Sequence, residues 1–314
     1  QKNYKIATIS WEKARTWGVG IDATLFGKLT VGLDYYDRKT TGIIMDVPVP
    51  AEFGLGAYKD NVGAMVNRGV ELTLNYNESW DDWSFGVSAN LAYNKNKVLY
   101  LDGVQSLADG DLKVKQVGAA YGTYRLYKTG GFFQSDEEAK RWQEKHKNDA
   151  GYPFKRDFKA GDLIYMDTNE DGLINADDRV LCGSSNPSYT FGLNLSAGYK
   201  SIDCSVMLTG VADVKRMIDI NGFGGEWSGD DCHPNNIWLD AWTPDNRDAK
   251  MPRIAVGKTS NNLEYSDFWL QDGSYLRLKN LQLGYTLPKK ILKSMGVENL
   301  RVYYSGENLL TFHK

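Results

Sequence analysis

Trp83-Ser-Phe85-Gly-Val87-Ser-Ala89-Asn-Leu91-Ala-Tyr93 is the stretch on which the fold turns. Every odd position is apolar, while Ser84, Gly86, Ser88, Asn90 and Ala92 are small or polar. A period of two belongs to a β-strand, whose successive side chains point to opposite faces, so one face here meets an apolar medium and the other a polar one. Its length suits a membrane crossing, which takes about 9 to 11 residues of tilted strand.

The same alternation recurs on both sides of this stretch. Trp17, Val19, Ile21, Ala23 and Leu25 alternate with Gly18, Gly20, Asp22 and Thr24; Leu29, Val31, Leu33 and Tyr35 alternate with Thr30, Gly32 and Asp34. Val70 to Tyr76, Tyr189 to Tyr199 and Ile202 to Leu208 repeat it, and a late pair follows near 275–287 and 300–306. In that late pair the apolar parity slips from Leu276 and Leu278 to Leu281, Leu283 and Tyr285, which predicts a β-bulge near Lys279-Asn280. Aromatic residues (Trp17, Tyr35, Tyr36, Tyr76, Trp83, Tyr93, Tyr189, Tyr199) mark strand ends, as in the girdles of a membrane barrel. A soluble sandwich could carry the same rings, so connection lengths discriminate better. Short connections (Phe26-Gly27-Lys28, Asn77 to Asp82, Lys200-Ser201) alternate with long ones over 40–67, 94–188 and 212–273, the asymmetry of outer-membrane barrels. About eight strands are expected, the smallest number that closes a membrane barrel. Within 94–188, Tyr121 to Tyr127 reads as a further strand and Ser135 to Lys147 as a short helix with acids in its first turn.

Composition agrees. The 314 residues are 42% hydrophobic, with a formal charge of −3 and a mean hydropathy of −0.47. No stretch reaches the roughly 18 consecutive apolar residues of a membrane helix, but alternating strands cross membranes at low hydropathy. No basic stripe of the kind that recognises phosphates is visible along the chain, which argues against nucleic acid as a partner. Cys182, Cys204 and Cys232 lack the spacing of a zinc site or disulfide framework. Gln1 to Tyr4 show no signal-peptide pattern, so the expectation is that either the protein is cytoplasmic or its start lies elsewhere.

Specific words in the chain resemble the SusC/RagA-like TonB-linked outer-membrane proteins. The longest runs from Ser266-Asp-Phe-Trp-Leu-Gln-Asp-Gly through Leu283-Gly-Tyr-Thr-Leu-Pro288. Trp11-Glu-Lys13, Asp34-Tyr-Tyr36, Arg38-Lys39-Thr40, Asn61-Val-Gly63, Asn67 to Glu71, Tyr93 to Val98 and Arg301 to Leu310 occur in the family's order. The resemblance implies an arc of a barrel of about 22 strands around a plugged lumen. It places the signal peptide, plug domain, TonB box and early strands before Gln1, and the closing strands after Lys314. It also implies energy-coupled import of a glycan or peptide, a SusD-like surface lipoprotein as partner, and TonB acting on the plug. A barrel-type surface receptor or adhesin without transport is the rival reading. A siderophore receptor shares the barrel but not the wording from Ser266 to Pro288.

Two further features bear on ligands. Asp167-Thr-Asn169-Glu-Asp171-Gly172-Leu173-Ile-Asn175-Ala-Asp-Asp178 follows the spacing of an EF-hand loop, with oxygens at positions 1, 3 and 5, Gly at 6 and an acid at 12. Asp167, Asn169, Asp171 and Asp178 would offer side-chain oxygens to Ca²⁺, Leu173 its carbonyl and Asn175 a water-bridged contact. Position 12 is Asp in place of Glu, and a plain Asx-rich turn has the same composition. The 212–273 stretch is rich in aromatics, and Phe223, Trp227, Trp238, Trp242 and Trp269 are candidates for stacking on a sugar, a peptide side chain or a partner, or for packing the loop itself. Catalysis finds no footing: His146, His233 and His313 lack nucleophile spacings, and no GxSxG, HExxH or CxxC occurs.

Overall fold

The computed structural model describes residues 9–47, 58–101, 106–109, 112–147, 152–218, 236–255, 260–293 and 296–313. The first four strands are β1 (Lys13–Leu25), β2 (Leu29–Val47), β3 (Tyr58–Trp80) and β4 (Trp83–Leu101). Short strands follow: β5 (Ser106–Asp109), β6 (Lys113–Gln116), β7 (Thr123–Tyr127), β8 (Thr129–Phe132), β9 (Leu163–Tyr165) and β10 (Arg179–Ser184). Long strands return with β11 (Tyr189–Tyr199) and β12 (Ile202–Ala212); after β13 (Lys215–Met217) and β14 (Leu270–Asp272) come β15 (Tyr275–Thr286) and β16 (Arg301–His313).

The eight long strands form one antiparallel sheet in the order β1-β2-β3-β4-β11-β12-β15-β16. β1 and β16 do not pair with each other, so the sheet is an open arc. Register ties the apolar parity of each strand to that of the next. Ala23, Val31, Leu74, Ala89, Leu193, Leu208, Leu278 and Leu310 lie side by side across the whole sheet. One residue along, Asp22, Gly32, Thr73, Asn90, Gly192, Thr209, Arg277 and Thr311 line the opposite face. The apolar face is not covered by protein: Leu33 and Leu91, both mid-sheet, are 44% and 42% exposed. A contiguous apolar surface of this size is stable only against lipid. Trp83 stacks on Tyr199 at 4.4 Å at one end of the face, and Tyr93 on Tyr189 at 4.8 Å at the other. The ten-residue step between those rings rises about 33 Å along a strand and, at the usual tilt, about 25 Å across the membrane.

The bulge forms at Lys279, where Met207 pairs with Asn280 and Leu208 with Leu278. Opposite it, Asn308 adopts φ 53° and its side chain accepts a hydrogen bond from Lys279 Nζ at 3.1 Å. This extra residue keeps Leu276, Leu278, Leu281 and Leu283 on the lipid face through the change of parity. Tight turns at Phe26-Gly27-Lys28, Asp81-Asp82 and Lys200-Ser201 close the hairpins at one end, with Phe26, Asp81 and Lys200 all at positive φ.

At the other end the strands run further than alternation foretold. β2 continues to Val47, β3 begins at Tyr58 and β4 continues to Leu101, so the expected connections over 40–67 and from 94 are partly strand. Beyond Tyr35 and Tyr93 the side chains no longer alternate, but the ladder needs only backbone groups and persists above the membrane. The described parts of the long connections are also structured. β10-β7-β6-β5 form a small sheet, β8 pairs with β9 and β13 with β14. Helix α1 (Asp136–His146) is capped by Ser135, whose Oγ accepts the Glu138 N–H at 3.2 Å. The buried core of the molecule lies in this region: Tyr127, Phe133, Ala139, Phe154, Phe158, Leu163, Tyr165 and Ile174 pack together, with Trp142 against them.

Candidate functional site

The Asp-rich loop is folded largely by its own carboxylates and amides. Asp167 Oδ2 accepts the Gly172 N–H at 2.8 Å, Asn169 Oδ1 that of Asp171 at 3.1 Å, and Asp171 Oδ1 that of Leu173 at 2.8 Å. Asp178, fully buried, accepts from Thr168 N and Asn175 N, each at 2.8 Å. Glu170 and Gly172 take positive φ, which makes the sharp turn. Ile174 anchors the loop in the aromatic core, and His146 at the end of α1 lies 3.2 Å from the Gly172 carbonyl. These are Asx turns in series. One atom is left over: Asp167 Oδ1 is buried with no hydrogen-bond partner. An orphaned carboxylate oxygen at position 1 of such a loop suits a hard cation. The remaining acids do not converge on it, and among the described residues no group of three acidic, His or Cys side chains forms a ready cage.

Of the five aromatic candidates, Phe223 and Trp227 lie outside the described residues. Trp238, Trp242 and Trp269 are 5%, 6% and 1% exposed. Trp238 and Trp269 share a cluster with Ala241, backed by Met217, Met251, Leu263 and Phe268. Trp242 covers Gly161, where a Cβ would come within 2.5 Å of the indole. All three rings are therefore seated in the interior of the loops. Cys182 and Cys204 carry free thiols, and Cys232 lies outside the described residues.

An open arc with a lipid face, polar lining, aromatic borders and its largest structured loops at the end opposite the tight turns is the wall of a receptor barrel. The family described as TonB dependent receptor-like, beta-barrel, matches residues 2–212. The chain belongs to this family of TonB-dependent receptors. TonB-dependent receptor P3 of Formosa agariphila is 30% identical over 97% of this chain and 30% of that protein. SusC of Bacteroides thetaiotaomicron is 23% identical over 96% of this chain and 28% of that protein. The structure of the RagAB peptide transporter superposes with a TM-score of 0.76 at 25% identity, covering 97% of this chain and 32% of the other. The chain thus spans about 30% of the length of the relatives it matches.

Membership places this receptor segment in the outer membrane, among SusC/RagA-like TonB-dependent receptors. In outer-membrane barrels short turns lie on the periplasmic side and long loops on the extracellular side. The signature wording now acquires physical roles. Asp267 Oδ1 accepts from both the Thr129 N–H (2.9 Å) and hydroxyl (2.6 Å). Ser266 is fully buried, Trp269 Nε1 donates to the Asn262 carbonyl at 2.8 Å, and Lys279 supplies the bulge.

Residues that the sequence did not single out join the two long loops. Asp162, fully buried, pairs with Arg253 at 2.7 Å and accepts from Asn262 Nδ2 at 2.9 Å. Asn262 Oδ1 in turn accepts the Leu163 N–H at 2.8 Å. Tyr165 donates its hydroxyl to the Asn261 carbonyl at 2.7 Å. The connection between β4 and β11 is in this way bonded to that between β12 and β15. No local pattern announces this junction; the Asn261-Asn262 pair is its only trace in the sequence.

Proposed function

We propose that the segment is barrel wall and outer loops of an energy-coupled importer of peptides or oligosaccharides too large for a porin. It works beneath a SusD-like surface lipoprotein, with TonB acting on a plug domain outside this chain. The observation that carries this reading is the likeness to the RagAB peptide transporter over 97% of the chain. The polar inner wall and the bonded outer loops suit a route that a lid closes from outside. Deletion of the full-length gene should abolish growth on peptides or on oligosaccharides as sole source, with restoration by the intact gene. Surface binding of those compounds that survives deletion of the plug, with no uptake by the intact strain, would instead mark a non-transporting receptor.

The loop Asp167–Asp178 takes Ca²⁺ in this reading. Asp167, Asn169 and Asp171 supply side-chain oxygens, Leu173 its carbonyl, Asn175 a water-bridged contact and Asp178 the closing carboxylate. Support comes from the loop spacing and the unpartnered, buried Asp167 Oδ1. The ion would stiffen an extracellular loop by tying its carboxylates to one centre. Titration calorimetry of the chelator-stripped full-length protein should give a calcium isotherm that Asp171→Asn weakens by about tenfold, since ligand charge sets affinity in such loops. No heat, and no change in protease protection of residues 152–178 with calcium, would remove the ion from the account.

A further inference from the structure

Register gathers on the outer surface what is scattered along the chain. Immediately above the lipid-facing row Val19, Tyr35, Val70 and Tyr93 lies the row Trp17, Asp37, Arg68 and Lys95, and above that Arg15, Lys39, Val66 and Lys97. Lys13 continues the same face. Six cations thus crown the aromatic border on its extracellular side, all exposed. The single acid among them, Asp37, is bonded to Arg68 at 2.6 Å. Among the described residues none of the other five cations has an ion-pair partner. The lumen-facing positions at the same height, Ala14, Thr16, Arg38, Asn67, Asn94 and Asn96, hold one charge. The asymmetry is directed at the membrane, not at the transport path. The same height also carries a concavity of about 550 Å³. Arg68, Lys95 and Lys97 border it, with Val66, Tyr93 and Asn96 also in its wall; Ser188 and Asp213 line it too, hydrogen-bonded to each other.

We propose that this band and its concavity bind the phosphorylated head-groups of outer-leaflet glycolipid. Tyr93 fixes the level of the hydrocarbon boundary, so an occupant that touches both the ring and the lysines sits at head-group depth. Charge selects an anion there, since unpaired cations beside a membrane surface attract anionic lipid. The apolar row beneath continues into the acyl region, which a free anion could not use. The proposal concerns the wall outside the barrel and is independent of what passes through it.

The test uses the full-length protein in nanodiscs containing either phosphorylated lipid A or its dephosphorylated form, read by native mass spectrometry. Phosphorylated lipid should be retained preferentially, and the triple variant Arg68→Gln, Lys95→Gln, Lys97→Gln should lose that retention by about tenfold or more. Arg38→Gln, at the same height but facing the lumen, should keep it. If the triple variant fails to assemble, as judged by heat-modifiable mobility, the comparison of the two lipids on the unmodified protein and on Lys97→Gln still decides. Equal retention of both lipids, or of phosphorylated lipid by wild type and variant alike, would overturn the proposal. Displacement of the lipid by millimolar inorganic phosphate would do so as well, by showing a phosphate site that ignores the lipid.

Discussion

Glu264 shows how a single residue's chemistry is set by its surroundings. Burial in the extracellular loops raises its carboxyl pKa, against the opposing pull of Arg179 and Lys155. A folded-state pKa above the unfolded one means that the folded loops favour the protonated form. The associated stability is full below the unfolded value and is lost as pH rises through the folded one. Replacing Glu264 with Gln should therefore slow amide exchange in the loops at neutral pH, most visibly at the Tyr127 N–H, which is bonded to the adjacent Tyr265 carbonyl. The same change should flatten the dependence of that exchange on pH between the carboxylate range and neutrality. An unchanged pH profile in Glu264→Gln would show that this carboxyl carries no such cost. At this scale the sequence showed the acids in the first turn of the short helix and those of the calcium-type loop, because both act on backbone a few residues away. It did not show Glu264, because the burial of an acid depends on neighbours distant in the chain.

At the scale of the element, the strand is where the sequence spoke most clearly. Parity alone identified the faces of seven of the eight long strands, and the slip after Leu278 located the bulge at Lys279. The reason is geometric: side chains alternate with period two whatever lies around the strand, so a medium that differs between the faces writes itself into the sequence. Leu193 and Asn194 offer a sharp check. Both lie midway between Tyr189 and Tyr199, on opposite faces. Leu193→Arg should destabilise the assembled barrel by about 2 to 4 kcal/mol, while Asn194→Arg should cost well under about 1 kcal/mol. Urea titration of the full-length protein refolded into lipid vesicles measures both. Strand ends were less legible: the ladder outlasted alternation in β2, β3 and β4, since backbone pairing above the membrane carries no apolar signature.

For the whole molecule, the decisive feature is that two long loops are bonded into one body over the barrel. Arg253→Ala would leave the Asp162 carboxylate buried without its counter-charge, a change that costs about 3 to 5 kcal/mol when solvent cannot reach the site. The barrel should still assemble and keep its heat-modifiable mobility. The loops should come apart, with protease sites opening in both 152–165 and 253–269 at once. Cleavage confined to one of them would mean that the two loops fold independently. The three tryptophans in this body illustrate the limit of composition as a guide. Trp238, Trp242 and Trp269 suited either a binding platform or a core, and the structure encloses them.

The sequence by itself determined which residues face lipid, how many long strands there are, where the bulge falls and which loop carries the calcium-type spacing. Each of these rests on contacts within a few residues or on a repeat imposed by a uniform medium. Only the tertiary structure decided what register and distant pairing bring together. Asp162 and Arg253 are ninety-one residues apart, and Arg15, Lys39, Arg68 and Lys97 come from four different strands. Along the chain those cations make no basic stripe, and none was expected. Hydrogen-bond ladders align them into one, because pairing fixes neighbours across strands that no local pattern relates.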